Sequence, residues 1–200
     1  MPLQNRVDPF GELVADPARG LLFGNRGGRF HNDDQTLGRS RHASRQWICC
    51  VLSFKGRQRN VWRSGYTELF FLDEVTAFAA GHRPCFECRR RDAQAFAAAF
   101  PGRRKRATEM DRVLHAERLD GRAKRTCRRD IDALPDGAFV TLDRKAFAVR
   151  GDRLLPWTPS GYGRSRPRPR GVTVEVLTPP SILAVLAAGY RPLWHPGASA

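Results

Sequence analysis

The stretch Phe70–Arg89, which reads FFLDEVTAFAAGHRPCFECR, carries the strongest local pattern in this chain of 200 residues. Its aromatic beginning predicts a short strand. Asp73 is a favoured residue type at a helix N-cap, and Gly81 suits the position just after a helix end. A second helix is expected from about residue 92 to residue 100, where Pro101 and Gly102 follow. The pattern predicts short helices on both sides of a Cys-x-x-Cys turn, within an α+β fold.

Cys85 and Cys88 form that Cys-x-x-Cys turn. Two thiolates separated by two residues in a tight turn can bind one tetrahedral Zn²⁺ ion. A redox pair with this spacing belongs at the start of a helix in a thioredoxin-like βαβ unit, which the surrounding pattern does not indicate. We therefore predict that Cys85 and Cys88 bind Zn²⁺. Two thiols without a ligand remain the alternative.

Residues from about 66 to 90 resemble the end of the zinc-binding module of Ada-type DNA-repair proteins. In those proteins an aromatic strand and a short helix that ends in Ala-Gly-aromatic-Arg-Pro-Cys precede a Cys-x-x-Cys-Arg turn. The resemblance implies that Cys85 and Cys88 are half of a four-ligand zinc site. It also implies a setting in nucleic-acid handling or DNA repair. The whole chain is similar to bacterial proteins of this length.

The other two ligands depart from the Ada-type pattern, which places a Cys-x-x-x-Cys pair upstream. This chain has adjacent cysteines, Cys49 and Cys50, in a run of strand-forming residues. Adjacent residues of a strand point to opposite faces, so both cannot easily bind one ion. Some related modules use a histidine that follows an aromatic residue, as His31 does here. The provisional ligand set is therefore Cys85, Cys88, Cys50 and His31, with His82 and His195 as alternatives. Without the upstream pair, methyl transfer from phosphotriesters is not expected.

Charge is the main compositional feature of the chain. It contains 35 basic and 20 acidic residues, which gives a formal net charge of +15. All but four of the basic residues are arginines, and the arginine guanidinium group matches phosphate in a bidentate geometry. A polyanionic partner is the simplest interpretation. We predict that this partner is nucleic acid, with DNA favoured over RNA.

Several basic clusters could contact phosphates. They comprise a glycine-rich turn at residues 24–29, a turn at residues 55–59, the residue after the second cysteine of the turn, and a tract at residues 103–129 with eleven basic and four acidic residues. The candidate contacts are Arg26, Arg29, Arg57, Arg59, Arg89, Arg103, Arg104, Lys105, Arg106, Arg125, Arg128 and Arg129.

The organisation predicted from the sequence has three segments. Residues 1–102 are expected to form a small zinc-stabilised module with an N-terminal extension, a β-hairpin across residues 55–59 and short helices. Residues 103–130 form a basic segment with a helix near 109–119. Residues 131–200 form a β-rich C-terminal part that ends in a helix. One integrated domain is the alternative.

Enzymatic activity is an open alternative, as is a protein-interaction scaffold. If Met1 is removed, Pro2 would expose a secondary amine that could form an iminium with the aldehyde of an abasic site. This would make the protein an abasic-site lyase or glycosylase, and a nuclease is a further possibility. No serine elbow, His-Glu-x-x-His helix or spaced carboxylate trio supports another reaction.

The chain is expected to be cytoplasmic. No apolar run approaches the roughly 18 residues of a membrane span, and the N-terminus has no apolar signal segment. Five cysteines in a cytosolic protein are more typical of thiols and metal ligands than of disulfides. No membrane partner is expected, and the oligomeric state is left open.

Overall fold

The first half of the chain builds a six-stranded sheet in a computed structural model that describes residues 1–57, 60–63, 65–102 and 106–198. The order of its strands is β2-β1-β5-β3-β4-β6. Two neighbouring pairs, β1 with β5 and β4 with β6, are parallel, and the others are antiparallel. The strands are β1 (Arg6–Val7), β2 (Leu13–Val14), β3 (Leu22–Asn25), β4 (Ile48–Val51), β5 (Leu69–Phe71) and β6 (Arg83–Pro84).

The second sheet contains strands from the last 74 residues of the chain, in the order β13-β12-β11-β10-β15-β9, with β14 paired to β12. All of its pairs are antiparallel. Its strands are β9 (Cys127–Asp130), β10 (Phe139–Leu142), β11 (Lys145–Arg150), β12 (Arg153–Thr158), β13 (Gly161–Tyr162), β14 (Arg166–Pro167) and β15 (Thr173–Val176).

Within the described residues, four α-helices, a 3-10 helix at Ile131–Ala133 and a small third sheet complete the fold. The third sheet is the antiparallel pair β7 (Leu119–Asp120) and β8 (Ala123–Lys124). The α+β class predicted from the sequence is confirmed. No helix in the described ranges is both long enough and apolar enough to cross a membrane. The helices are α1 (Glu74–Ala79), α2 (Arg90–Ala99), α3 (Ala107–Arg118) and α4 (Pro180–Ala187).

Helix α1 has the two ends that the sequence predicts. The Asp73 side chain accepts a hydrogen bond from the backbone N–H of Thr76, which is an N-cap. Gly81 follows the helix with φ of +85°, a value that suits glycine. A Cβ at this position would lie 2.7 Å from Cδ of Arg118. Glycine is therefore needed here for both its backbone angle and its lack of a side chain.

All six residues of α1 are buried, because the helix packs against both halves of the molecule. Val75 and Ala79 share a core cluster with Phe139 of the second sheet. Phe78 faces a different cluster, which contains Phe96 of α2 together with side chains of α3 and α4. Apolar contacts therefore cross both segment boundaries expected from the sequence. In addition, β9, from the end of the expected basic segment, pairs with β15 in the second sheet.

The structure corrects the hairpin expected across residues 55–59. Residues 60–62 do not form a strand, and Trp62 lies in a turn with φ of +57°. Strand β4 instead pairs with β3 on one side and β6 on the other. The basic turn near residue 56 predicts that β4 pairs with the segment that follows it. Both edges of β4 instead pair with strands more distant in the sequence.

A buried ion pair joins the first sheet to α3. The Arg83 guanidinium on β6 donates from Nε and from a terminal nitrogen to the two carboxylate oxygens of Asp111, each at 2.8 Å. The exposed fractions of the two side chains are 2% and 7%. Both charges are thus removed from water and satisfied by a bidentate contact.

Breaking this pair should destabilise the fold strongly. We expect Asp111→Ala to lower the free energy of unfolding by about 3–5 kcal/mol, because it leaves the guanidinium buried without a counterion. Urea unfolding at pH 7 measures the change. The control is Arg112→Ala at an exposed position of the same helix, with an expected change within about 0.5 kcal/mol. Equal losses of unfolding free energy in the two variants would contradict a stabilising role for the Arg83–Asp111 pair.

Candidate functional site

Strands β4 and β6 bring three cysteines together. These strands are parallel, with Cys49 opposite Pro84, and the backbone N–H of Cys85 donates to the carbonyl of Cys49 at 3.0 Å. The next residue on β4, Cys50, therefore lies beside the Cys-x-x-Cys turn. The sulfur atoms of Cys50, Cys85 and Cys88 all lie within 4.8 Å of one another. This cysteine group could hold a metal ion.

The alternation of side chains along β4 selects Cys50 over Cys49. Cys49 packs into the cluster that contains Leu22 and Phe71. Cys50 lies in a separate cluster with Phe23 and Cys85. The two adjacent thiols thus serve different environments, as the strand geometry argued from the sequence requires. The fifth cysteine, Cys127, is half-buried and does not belong to the cysteine group.

Hydrogen bonds around the turn favour a thiolate at Cys85. The thiols of Cys50 and Cys88 donate to its sulfur, and these contacts lower the pKa of Cys85 below its usual value. The backbone N–H of Glu87 also points at this sulfur, at 3.4 Å. The N–H of Arg89 donates to the Cys85 carbonyl at 3.0 Å, just before α2 begins. These backbone hydrogen bonds fix the conformation of the turn. The lowered pKa favours the thiolate of Cys85, which is the form that binds metal.

His31 is not part of the cysteine group, which corrects its provisional place as the fourth ligand. Its Nδ1 lies 2.8 Å from the hydroxyl oxygen of Thr67, and its ring stacks on Trp62 with the ring centroids 5.3 Å apart. The alternatives lie elsewhere too. His82 is fully buried with its Nε2 3.4 Å from Nε of Arg26, and His195 accepts from the backbone of Gly197.

Arg89 is buried, so it cannot contribute to an exposed phosphate-binding surface as the sequence suggested. Its guanidinium lies 2.8 Å from carboxylate oxygens of both Glu74 and Asp92. It also donates to the sulfur of Cys49 at 3.3 Å. Burial raises the pKa of the Cys49 thiol to about 12, although the Arg89 charge opposes this. Arg89 therefore stabilises the back of the Cys-x-x-Cys turn, and Cys49 stays a neutral thiol.

Three of the predicted phosphate contacts are exposed but paired with acids. Arg29 forms an ion pair with Asp33, and Arg125 lies 3.5 Å from Asp120. Arg57 pairs with Glu87 of the Cys-x-x-Cys turn at 2.6 Å. Surface pairs of this kind are weak and exchange easily with another anion. A fourth, Arg26, is only 1% exposed and therefore also lies outside any open surface.

The basic tract keeps a set of open arginines. Arg106, Arg128 and Arg129 are exposed, and none of their guanidinium groups forms an ion pair with a carboxylate in the part of the chain that the structure describes, although the backbone N–H of Arg106 donates to the Glu109 carboxylate at 3.4 Å. Arg128 and Arg129 are on β9, which is the edge strand of the second sheet. Pro2, the candidate nucleophile, is exposed near the N-terminus. The predicted contacts Arg59, Arg103, Arg104 and Lys105 lie outside the described residues.

A second polar group was missed by the sequence analysis. Arg26, Arg118 and Lys124 line one cavity, although they are far apart in the chain. No local motif connects these positions, so the pattern of the sequence holds no signal for them. Within the cysteine group itself, sequence spacing identified Cys85 and Cys88, and Cys50 was a provisional ligand that strand alternation alone does not separate from Cys49.

Comparisons with protein-family models, with curated proteins and with solved structures found no match to this chain. The site is therefore interpreted from its own geometry.

Replacing any one of the three grouped cysteines should abolish metal binding. We expect Cys50→Ser, Cys85→Ser and Cys88→Ser to reduce bound metal from about one ion per chain to less than a tenth, because two thiolates bind far more weakly than three. Elemental analysis of the purified protein measures this. Cys49→Ser is the matched control, since this neighbour faces away from the group and should retain the metal. Metal loss in Cys49→Ser with retention in Cys50→Ser would contradict the assignment.

Proposed function

We propose that this protein binds zinc and binds nucleic acid, DNA in preference to RNA, through contacts between arginines and backbone phosphates. The observation that carries the proposal is the net charge of +15 on 200 residues. A nucleic-acid backbone is the densest common polyanion, and the neutralisation of its phosphates by basic side chains drives binding. The open arginines of the basic tract supply such contacts without first breaking an ion pair.

Zinc is the metal proposed for the cysteine group. Three thiolates are soft ligands that favour zinc over magnesium or calcium, and zinc accepts tetrahedral sites of this kind. The residues outside the described ranges, which are Gln58, Arg59, Ser64, 103–105 and 199–200, include no Cys, His, Asp or Glu. A water molecule or a bound partner is accordingly proposed as the fourth ligand.

The metal is proposed to have a structural role next to the nucleic-acid surface. By binding Cys50 on β4 and the turn between β6 and α2, an ion would join two strands of the first sheet to the start of a helix. Arg57 forms an exposed ion pair with Glu87 of this turn. Its guanidinium group could exchange Glu87 for a phosphate close to the metal. A repair-related setting, which the resemblance to the zinc-binding module of Ada-type proteins implies, is part of the proposal.

Binding to duplex DNA should depend steeply on salt. If the protein neutralises about five phosphates, log K should fall against log salt concentration with a slope near −4.5. The triple variant Arg106→Ser, Arg128→Ser, Arg129→Ser should flatten this slope by about 2.7, because each lost phosphate contact removes about 0.9. Fluorescence titration of a mixed-sequence duplex between about 50 and 300 mM salt measures the slope.

A matched variant separates contact from total charge. Arg19→Ser, Arg144→Ser, Lys145→Ser removes the same charge from exposed positions outside the basic tract, and its slope should stay within about one unit of the parent value. The cysteine variants test the metal independently of this surface. Equal slopes in the two triple variants, or no binding at the lowest salt, would overturn the proposed nucleic-acid surface.

A further inference from the structure

A cavity of about 450 Å³ lies at the opposite end of β4 from the cysteine group. Trp47, which precedes β4, lies in its wall, whereas Cys50 lies three residues further along the chain. The lining is strongly basic, and Glu12 is its only acidic member among the described residues. Its basic members are Arg26, Arg39, Arg41, Arg118, Arg122 and Lys124.

The deep wall of this basic cavity is built from buried charge. Arg26 and Arg118 are each 1% exposed, and Trp47 is 2% exposed. The guanidinium carbons of both arginines lie 4.0 Å from the centroid of the Trp47 ring. Stacking on the indole ring holds the two guanidinium planes in place through cation–π contact. The two guanidinium groups are thus packed on the ring without a ligand present.

The two buried arginines and the half-buried Lys124 contact backbone carbonyls rather than carboxylates. Arg26 donates to the carbonyl of Gly11 at 2.7 Å, and Arg118 donates to that of Gly81 at 2.8 Å. The Lys124 ammonium donates to the carbonyl of Ala79. Among the residues that the structure describes, no carboxylate oxygen lies within 4 Å of these three cations. A carbonyl satisfies a hydrogen bond but supplies no counter-charge.

One donor in the wall has no partner at all in the described structure. The Nε atom of Arg118 is buried and makes no hydrogen bond. Burial, together with repulsion from Arg26 and Arg118, lowers the pKa of Lys124 to about 7. Asp8 opposes the pKa shift at Lys124, and Asp111 opposes a similar pKa shift at Arg118, but these more distant acids only partly compensate the wall. Both features are expected where buried cations outnumber the acids around them.

Other buried arginines of this molecule do have a carboxylate partner. Arg83 and Arg89 are buried to a similar extent, and each faces a carboxylate at 2.8 Å. The fold therefore provides acids for buried arginines elsewhere. At the cavity it provides space, of a volume within the range of small-ligand sites.

We propose that this cavity binds the dianionic phosphate of a phosphate monoester. A single carboxylate would leave most of the charge uncompensated, whereas a dianion matches several guanidinium groups through bidentate contacts. The phosphate could belong to a free mononucleotide or to the 5′ end of a nucleic-acid strand. The inference does not depend on the proposed surface for nucleic acid, because it rests on residues that the open surface does not include.

Calorimetric titration of the full chain at constant ionic strength tests the proposal. The probes are inorganic phosphate, adenosine 5′-monophosphate, and a short single-stranded oligonucleotide with either a 5′-phosphate or a 5′-hydroxyl group. Saturable binding of phosphate or of the mononucleotide is expected. A free ligand is indicated if the mononucleotide binds more tightly than phosphate and the 5′-phosphate adds nothing to the oligonucleotide. A strand end is indicated if the 5′-phosphate tightens oligonucleotide binding about tenfold.

Substitutions locate the site. Arg118→Gln should weaken phosphate binding at least tenfold. The rim variant Arg122→Gln, Lys124→Gln changes an exposed and a half-buried position of the lining; it should weaken binding equally and serves as the test if Arg118→Gln does not fold. Thermal unfolding by circular dichroism identifies which variants are folded. Arg112→Gln, exposed on the same helix as Arg118, is the control and should bind as the parent does.

The outcomes separate this proposal from the surface proposal. If no phosphate probe saturates and the 5′-phosphate makes no difference, the cavity proposal is wrong even where oligonucleotides bind. If the rim variant binds phosphate as tightly as Arg112→Gln does, the binding lies elsewhere and the proposal is likewise wrong. Phosphate binding without any oligonucleotide binding would retain the cavity proposal and overturn only the proposed nucleic-acid surface.

Discussion

Two adjacent buried carboxylates, Asp73 and Glu74, connect α1 to the second sheet, to the Cys-x-x-Cys turn and to the chain after α4. One oxygen of Asp73 caps the helix, and the other accepts from the Tyr162 hydroxyl of the second sheet at 2.8 Å and from the backbone of His195. Glu74 binds Arg89 behind the Cys-x-x-Cys turn and accepts from the Tyr190 hydroxyl at 2.9 Å. A buried carboxylate must be fully satisfied to persist, so these contacts must form together. The second sheet and the chain after α4 are thereby tied to the first sheet.

The positive charge of the molecule falls into two kinds that the amino-acid composition does not distinguish. Some arginines, such as Arg83, are structural, since a carboxylate compensates each of them inside the protein. Others, such as Arg128 on an edge strand and Arg118 in the basic cavity, form no ion pair with an acid within the described structure. Only this second kind is available for an external anion. The net charge of +15 therefore does not show which arginines are compensated and which are open.

Local chemistry explains which features the sequence could predict. The cap at Asp73, the stop at Gly81 and the pairing of Cys85 with Cys88 each depend on residues within a few positions, so their patterns are readable. Strand alternation indicates that Cys49 and Cys50 do not both bind one ion, whereas the placement of β6 beside β4 decides that Cys50 joins the group. The basic cavity, in contrast, is assembled from segments almost a hundred residues apart, and a buried arginine looks the same in sequence as an exposed one. For that reason Arg26 was misread as a surface residue.

Gly81 has a purely structural role, unlike the residues proposed to bind ligands. Its backbone angle ends α1, its missing side chain makes room for Arg118, and its carbonyl accepts from the same guanidinium. Any larger residue would strain the backbone and push Arg118 out of the cavity wall at once. In an alignment of natural variants, this position should therefore be more invariant than most of the exposed arginines, although it would contact neither metal nor anion.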